Sequence, residues 1–400
     1  MSISVKIKDS LSRSSWIRKM FEEGGRLSKI YGPENVYDFT LGNPDLEPPA
    51  EFEAKLRELA EHPIPGMHHY MNNAGYPETR QAVADHLNQI SSLNLTPNHV
   101  LMTVGAGGGL NVVFKALLDP DEEVIVSAPY FVEYGSYVGN HQGKLVVVPS
   151  QSDFQLNLAN IETAINSKTK AILINSPNNP TGVIYTEESL QKLARLIAAK
   201  EAQLGTTIYL ISDQPYAGLV YDGLTLPSIL KIFPHSFLVT SHSKDLAIPG
   251  ERIGYVAVNP NNPEAELLFD ALVYANRVLG FVNAPALMQH LIAALQGKAV
   301  GVEIYQKRRD LFYNHLTSIG FQVVKPQGAF YFFPKSPIPD DVAFIQSAVK
   351  YNLLLVPGSG FGAPGYFRIA YCVSEKTILN SFPAFTKLAE EYDLKFERRF

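Results

Sequence analysis

Four groups of residues in this chain of 400 carry side chains that chemistry could use, and each follows a short β-rich run. The first is Gly105-Ala106-Gly107-Gly108-Gly109, which opens a helical pattern after residues 101–104. Glycines let a backbone approach a phosphate, and the helix start behind them offers free N–H groups. The run is not Gly-x-Gly-x-x-Gly, because Leu110 fills the last place, nor a P-loop, because no Gly-Lys-Ser/Thr follows. A flexible turn is the plainer alternative. The second group runs from Asn175 to Gly182, with Asn178 and Asn179 adjacent. Such a loop can offer hydrogen bonds to a ligand oxygen, although Pro180 and Gly182 also suit an ordinary turn.

The third group is Asp213, followed by Gln214, Pro215 and Tyr216. A carboxylate there could pair with a protonated ring nitrogen, or simply cap a helix. The fourth is Ser241-His242-Ser243-Lys244, with Arg252 following in Gly250-Glu251-Arg252-Ile253-Gly254. A lysine of lowered pKa can form an imine with a carbonyl. A nearby arginine would lower that pKa and could also hold a phosphate. Most lysines are solvated surface charges, so Lys244 draws its interest from its company.

Ligands of an α/β sheet sit beyond the carboxyl ends of its strands, so the runs that precede these groups matter. Runs at residues 100–104, 123–127, 145–148, 171–175, 207–212, 237–241 and 253–258 alternate with amphipathic stretches. Residues 187–202 are one such stretch, with Leu190, Leu193, Ala194 and Ile197 on a single helical face. The alternation predicts a mostly parallel sheet with helices on both faces. After Asn283 the pattern changes. Helices are expected over residues 285–296 and 302–319, then strands at 321–324, 329–333, 353–356 and 367–371. A last helix should begin at Ser374 and Glu375. This reads as a smaller α+β domain, onto which a helix near residues 11–30 is expected to pack.

Composition removes several function classes. With 46% apolar and 18% charged residues, and a net charge of −5, there is no basic field to attract nucleic acid or an acidic membrane. Cys372 is the only cysteine, which excludes an intramolecular disulfide and a cysteine-built metal site. The ten histidines are scattered and lack His-Glu-x-x-His spacing, so no metal is expected. No apolar run reaches the roughly 18 residues of a membrane span. The first residues lack a signal peptide, and residues 395–400 are charged and carry no lipidation signal. A soluble cytoplasmic protein is expected. Ser241-x-x-Lys244 also fits the Ser-x-x-Lys of β-lactamases, but their Lys-Thr-Gly strand is missing.

Taken together, the segments resemble the class I/II aminotransferases of the fold-type I pyridoxal-phosphate enzymes, aspartate and aromatic types included. The resemblance runs from Phe39-Thr40-Leu41-Gly42-Asn43-Pro44-Asp45 to Arg368. Its strongest motifs are Asn178-Asn179-Pro180-Thr181-Gly182, Ser212-Asp213-x-x-Tyr216, and Ser241-x-Ser243-Lys244 with Gly250-x-Arg252-x-Gly254-Tyr255.

The resemblance implies a large domain over residues 46–283 with a seven-stranded sheet. It also implies a small domain from 1–45 and 284–400. Pyridoxal 5'-phosphate would be bound to Lys244 as a Schiff base, and the freed amine would then carry the proton. Asp213 would keep the pyridine nitrogen protonated. Tyr216 and Asn179 would bond the phenolic oxygen, with Phe131 stacked on the ring and Pro215 behind it. Ala106, Gly107, Ser241, Ser243 and Arg252 would surround the phosphate. Tyr70 would reach that phosphate from the partner subunit of a homodimer. Arg368, helped by Gly42 N–H, would grip the α-carboxylate.

Two departures bear on substrate. Gly107 and Gly108 stand where relatives often carry polar side chains, one of them a lysine that reads a second carboxylate. Phe131 stands where aspartate aminotransferases have Trp, and Arg277 lies one position from a side-chain-reading arginine. The expected reaction is ping-pong amino transfer between an L-amino acid and a 2-oxo acid, with aspartate or a neutral or aromatic amino acid as donor. Rivals are a C–S or β-eliminating lyase, an aminocyclopropane-type synthase, and a cofactor-binding regulator without turnover. The last usually carries a DNA-binding module, and no basic helix-turn-helix segment is present.

Overall fold

The computed structural model describes residues 3–5, 7–8 and 16–394, without the side chains of 16–19 and 21. The expected helical residues 11–15 and the charged terminus 395–400 lie outside the described residues. In chain order the strands are β1 Tyr37–Asp38, β2 Val100–Thr103, β3 Glu123–Ala128, β4 Lys144–Pro149, β5 Thr169–Asn175 and β6 Tyr209–Asp213. They continue with β7 Ser236–Ser241, β8 Gly254–Val258, β9 Tyr331–Phe332, β10 Leu353–Leu354, β11 Val356–Pro357 and β12 Phe367–Ala370.

All seven runs between residues 100 and 258 become strands of one sheet, in the order β2-β8-β7-β6-β5-β3-β4. β8 runs antiparallel to both its neighbours, and the other pairs are parallel. Helices cover both faces, so β6, β7 and β8 are buried along their whole length. This is why they read as continuous apolar runs rather than alternating ones. The helix Glu187–Leu204 is capped by Thr186 and buries Leu190, Leu193, Ala194 and Ile197, the face read from its spacing.

Register brings the chemistry together. Asn175 of β5 lies beside Asp213 of β6, and Asp213 lies beside Val239 of β7, two residues before Ser241. Ser241 in turn pairs with Gly254 at the start of β8, which also pairs with Thr103 at the end of β2. The loop carrying Arg252 and the helix beginning at Gly105 therefore meet at the same rim.

The rest of the chain supplies a three-stranded antiparallel sheet, β11-β12-β9, and a short parallel pair, β1-β10. Around them lie the helices Val302–Ser318, Asp341–Val349 and Glu375–Glu391, the last capped by Ser374. Their shared core is aromatic: Phe39, Phe312, Phe332 and Phe385 are all fully buried. The N-terminal helix Trp16–Tyr31 packs there, with Leu27 against Val36 and Leu354.

Some expected boundaries shift. Residues 321–324 form no strand; Phe321 is buried against Phe344 and Phe367, so the run is apolar for packing rather than pairing. Of residues 329–333 only Tyr331 and Phe332 pair, because Pro334 follows and cannot donate to a ladder. The expected helix 285–296 is an α-helix over Ala286–Ile292 continued by a 3-10 turn over Ala293–Leu295.

Candidate active site

Lys244 lies three residues beyond the end of β7, in the turn that leads to Arg252. Its Nζ donates a hydrogen bond to Gly42 O at 2.6 Å, and Phe330 lies under the ammonium with its ring centre 5.8 Å away. Burial pushes the amine down to about 8, and the guanidinium groups of Arg252 and Arg368 push the same way. At pH 7 roughly a tenth of such an amine is neutral, against about one part in three thousand at the ordinary value. A nucleophilic amine needs that change.

Beside it is a cavity of about 180 Å³. The helix Gly105–Leu117 presents Ala106 and Gly107 to one side, and Ser241, Ser243 and Arg252 close that end. Gly105 sits at φ +72°, and a Cβ on it would come within 3.0 Å of Arg252 Nη2. Only glycine turns the chain here while leaving the guanidinium its place. Phe131 and Pro215 line the cavity further along, with Asn179 and Tyr216.

Asp213 forms the floor. It is buried, its Oδ2 accepts from Tyr134 Oη at 2.5 Å, and its Oδ1 is buried without a partner. Burial pushes its carboxyl up to about 7, opposed by the Tyr134 hydrogen bond. Asn175 Nδ2 donates to Asp213 O at 2.8 Å, and Asn175 Oδ1 accepts from Asn179 N at 2.7 Å. These two bonds hold the asparagine loop to the end of β6.

Arg368, in the central strand β12, reaches the cavity from the other side. Its Nη1 donates to Asn179 Oδ1 at 3.1 Å and its Nη2 to Thr40 O. The guanidinium lies 4.7 Å from the ring centre of Tyr331 and 4.8 Å from that of Phe361, while Nε is buried without a partner. A planar cation so clamped is prepared for a carboxylate fork. Gly42 lies against the Tyr331 hydroxyl so closely that no Cβ fits.

The residues expected to hold the cofactor, Tyr70 apart, line this cavity, and Gly42 and Arg368 are hydrogen-bonded to two of them, Lys244 and Asn179. Tyr70 is 89% exposed and lies outside the cavity. Arg277 is likewise exposed, stacked over its own neighbour Tyr274. Three site residues escaped the sequence reading. Tyr134 bonds Asp213, Tyr331 bonds the Tyr216 hydroxyl at 2.9 Å, and Tyr137 lines the cavity beside Gly107. Their signal was faint: a buried tyrosine must find a partner for its hydroxyl, but the partner is distant in sequence.

The arrangement fits a phosphorylated pyridine aldehyde. An amine of lowered pKa, an orphaned buried carboxylate oxygen and a glycine-lined helix start with an arginine answer its carbonyl, ring nitrogen and phosphate. Among the described residues no cluster could hold a metal, and no helix is long and apolar enough to cross a membrane.

Known proteins agree. The family model for aminotransferase class I and II matches residues 34–381. A probable aspartate/prephenate aminotransferase of Thermus aquaticus is 35% identical over 87% of this chain and 90% of its own length. The aromatic-amino-acid aminotransferase 2 of Thermococcus litoralis is 28% identical over 95% of this chain and 97% of its own. An amino transferase crystal structure from Eubacterium rectale superposes with a TM-score of 0.95 at 39% identity, covering 98% of this chain and 100% of that one. The aspartate aminotransferase of Thermus thermophilus with maleate gives 0.85 at 29% identity, over 97% and 100%. With family model, fold and relatives in accord, this chain belongs to the class I and II aminotransferases and is a pyridoxal-phosphate-dependent transaminase.

Proposed function

We propose that this cleft passes the amino group of an L-amino acid to a 2-oxo acid in two half-reactions, with Lys244 carrying the cofactor and moving the proton. The observation that carries this reading is the place of Lys244, a half-buried amine pushed down to about 8 between the Arg252 end and Arg368. When bound, pyridoxal 5'-phosphate supplies a carbonyl for the amino group and a ring that accepts the electron pair left at the substrate Cα. Asp213 holds the proton on the ring nitrogen. Tyr216 and Asn179 would bond the phenolic oxygen, and Phe131 and Pro215, which line the cavity, would pack against the ring.

Backbone N–H groups of Ala106 and Gly107, the hydroxyls of Ser241 and Ser243, and Arg252 hold the phosphate. Arg368 takes the substrate α-carboxylate with Gly42 N–H. Gly42 O, which accepts from Lys244 Nζ, parks the amine between proton transfers. In this reading residues 46–283 form the cofactor domain, and 1–45 with 284–400 form the smaller one. The enzyme works in the cytoplasm, in amino-acid metabolism.

The names of the relatives include aspartate, prephenate and aromatic amino acids; aspartate or a neutral or aromatic amino acid is the proposed donor. A donor panel followed by the absorbance change from the pyridoxal to the pyridoxamine form tests this. Ammonia and pyruvate released without need of a 2-oxo acid would make the enzyme a lyase instead. Arg368→Lys should raise KM for every amino acid about 10–100-fold, the loss of one charge-assisted fork worth roughly 1.5–3 kcal/mol. An unchanged KM would move the carboxylate site elsewhere.

The outward position of Tyr70 supports a homodimer in which each subunit lends this hydroxyl to its partner's phosphate. Tyr70→Phe should then weaken cofactor binding by about 1–2 kcal/mol. A heterodimer of Lys244→Ala with Tyr70→Phe/Arg368→Ala should regain tight cofactor binding at the arginine-defective site. Full activity in a monomer at nanomolar concentration would refute the shared site.

A further inference from the structure

Glu133 sits between Phe131, which lines the cavity, and Tyr134, which bonds Asp213; it begins the helix Tyr134–Asn140. Its Oε2 is buried and has no hydrogen-bond partner. A carboxylate oxygen withdrawn from water normally finds a donor, and an orphan beside a binding cleft is a place for a ligand's donor.

Its surroundings locate it further. Burial pushes the Glu133 carboxyl up; a hydrogen bond within its own residue and the charge of Arg368 oppose that rise. Its charge is felt in turn by Tyr137, which lines the cavity beside Gly107, and by Tyr331, which stacks on Arg368. Glu133 thus lies within electrostatic reach of Tyr137, beside the anion end of the cavity, and of Arg368. An amino acid anchored at Arg368 and reacting near Lys244 extends its side chain into that region.

The cleft's cations are otherwise committed. Among the described residues Lys244, Arg252 and Arg368 each have a task in the reading above, and Arg277 stacks on its own Tyr274 at the surface. At position 107 a Cβ would come 3.0 Å from Tyr137 Oη, so a longer side chain there would have to displace that tyrosine. Among the described residues the cavity offers no uncommitted cation for a second substrate carboxylate, and Glu133 adds a charge of the same sign.

We propose that Glu133 reads the substrate side chain, accepting a hydrogen bond from an amide, hydroxyl or ammonium and repelling a carboxylate, so that neutral and cationic donors are preferred to aspartate and glutamate. The inference rests on the amino-transfer reading above, since it assigns the pocket around a substrate held at Arg368. Selectivity of this kind comes as much from the repelled competitor as from the bond gained.

The test compares holoenzyme with Glu133→Gln on two pairs of donors of nearly equal shape, glutamine with glutamate and asparagine with aspartate. Wild type should favour each amide by at least about tenfold in kcat/KM, and the variant should shrink that ratio about tenfold or more, chiefly through a lower KM for the acids. A second measurement needs no variant. As pH falls from about 8 to about 5.5 the substrate carboxylates stay ionised. Glu133, whose carboxyl burial raises against the opposing charge of Arg368, near Tyr137 and Tyr331, takes up its proton ahead of the substrate carboxylates. The wild-type preference should therefore narrow toward acid, while that of Glu133→Gln stays flat. Equal ratios in both proteins, or a wild-type preference for the acids, would overturn the role of Glu133. Alanine serves as a donor without a side-chain group to read. Its transfer by both proteins with unaltered ratios sinks the selectivity proposal alone; no pyridoxamine formed from any donor sinks the amino-transfer reading itself.

Discussion

Lys244→Ala is expected to bind cofactor yet to lose nearly all amino transfer. In the proposed mechanism one side chain supplies both the imine link and the proton carrier, so one substitution removes two functions. Proton transfer by a positioned side chain is worth about 10²–10⁴-fold by itself, and the loss should reach at least that range. The phosphate end does not depend on the amine: Ala106, Gly107, Ser241, Ser243 and Arg252 line the cavity without it. Cofactor should therefore remain, held noncovalently and removable by dialysis. A direct readout accompanies the kinetics. Borohydride reduction of the wild type followed by peptide mapping should leave the pyridoxyl group on Lys244. A label on Lys231 or any other lysine would sink the assignment, whatever the activity of the variant.

How far the sequence led can be judged at particular residues. The seven runs from residue 100 to 258 became the sheet because each is apolar over a whole strand and bounded by polar turns. The groups at their ends were legible for the same reason, since a parallel sheet opens its ligand site at strand ends. Lys244, Asp213, Asn179 and Arg252 thus converge on one cavity from four separate segments. What stayed hidden depends on contacts between distant segments. Tyr134 reaches Asp213 across 79 positions and Tyr331 reaches Tyr216 across 115, and no local pattern records such a meeting. Residues 321–324 misled in the opposite sense: burial of Phe321 imitates a strand where no partner strand lies alongside. Tyr70 is a different case, because its proposed role needs a second chain and single-chain spacing has nothing to say about it. Glu133 was passed over two residues from Phe131, since only its buried, orphaned oxygen distinguishes it from a solvated helix start.

Asp213→Asn should slow each half-reaction by about 10²–10³-fold, the usual loss when one preorganised charge partner of a reacting system is removed. An asparagine cannot keep a proton on the pyridine nitrogen, so the electron pair at the substrate Cα is less well accommodated. Turnover alone would not separate this from local damage, but stability does, because the two effects should have opposite signs. In the cofactor-free protein burial raises the Asp213 carboxyl from 3.8 to about 7. The folded state then binds a proton more tightly than the unfolded state. Stability from this group is intact below pH about 4 and declines as pH rises toward 7. At about 1.4 kcal/mol per pH unit the ionised carboxylate costs on the order of 4 kcal/mol by pH 8. Asparagine removes that cost and can still accept the Tyr134 hydroxyl through its amide oxygen. Cofactor-free Asp213→Asn should therefore melt higher than cofactor-free wild type at pH 8, with the difference shrinking toward pH 4. Cofactor should stabilise the wild type more than the variant, because only the aspartate gains a charge partner on binding. A variant that melts lower at every pH would mean that Asp213 is an ordinary structural carboxylate. Near wild-type turnover would mean that another acid serves the ring nitrogen. The pairing of slower chemistry with a firmer cofactor-free fold is the expected mark of a charge buried for a ligand's sake.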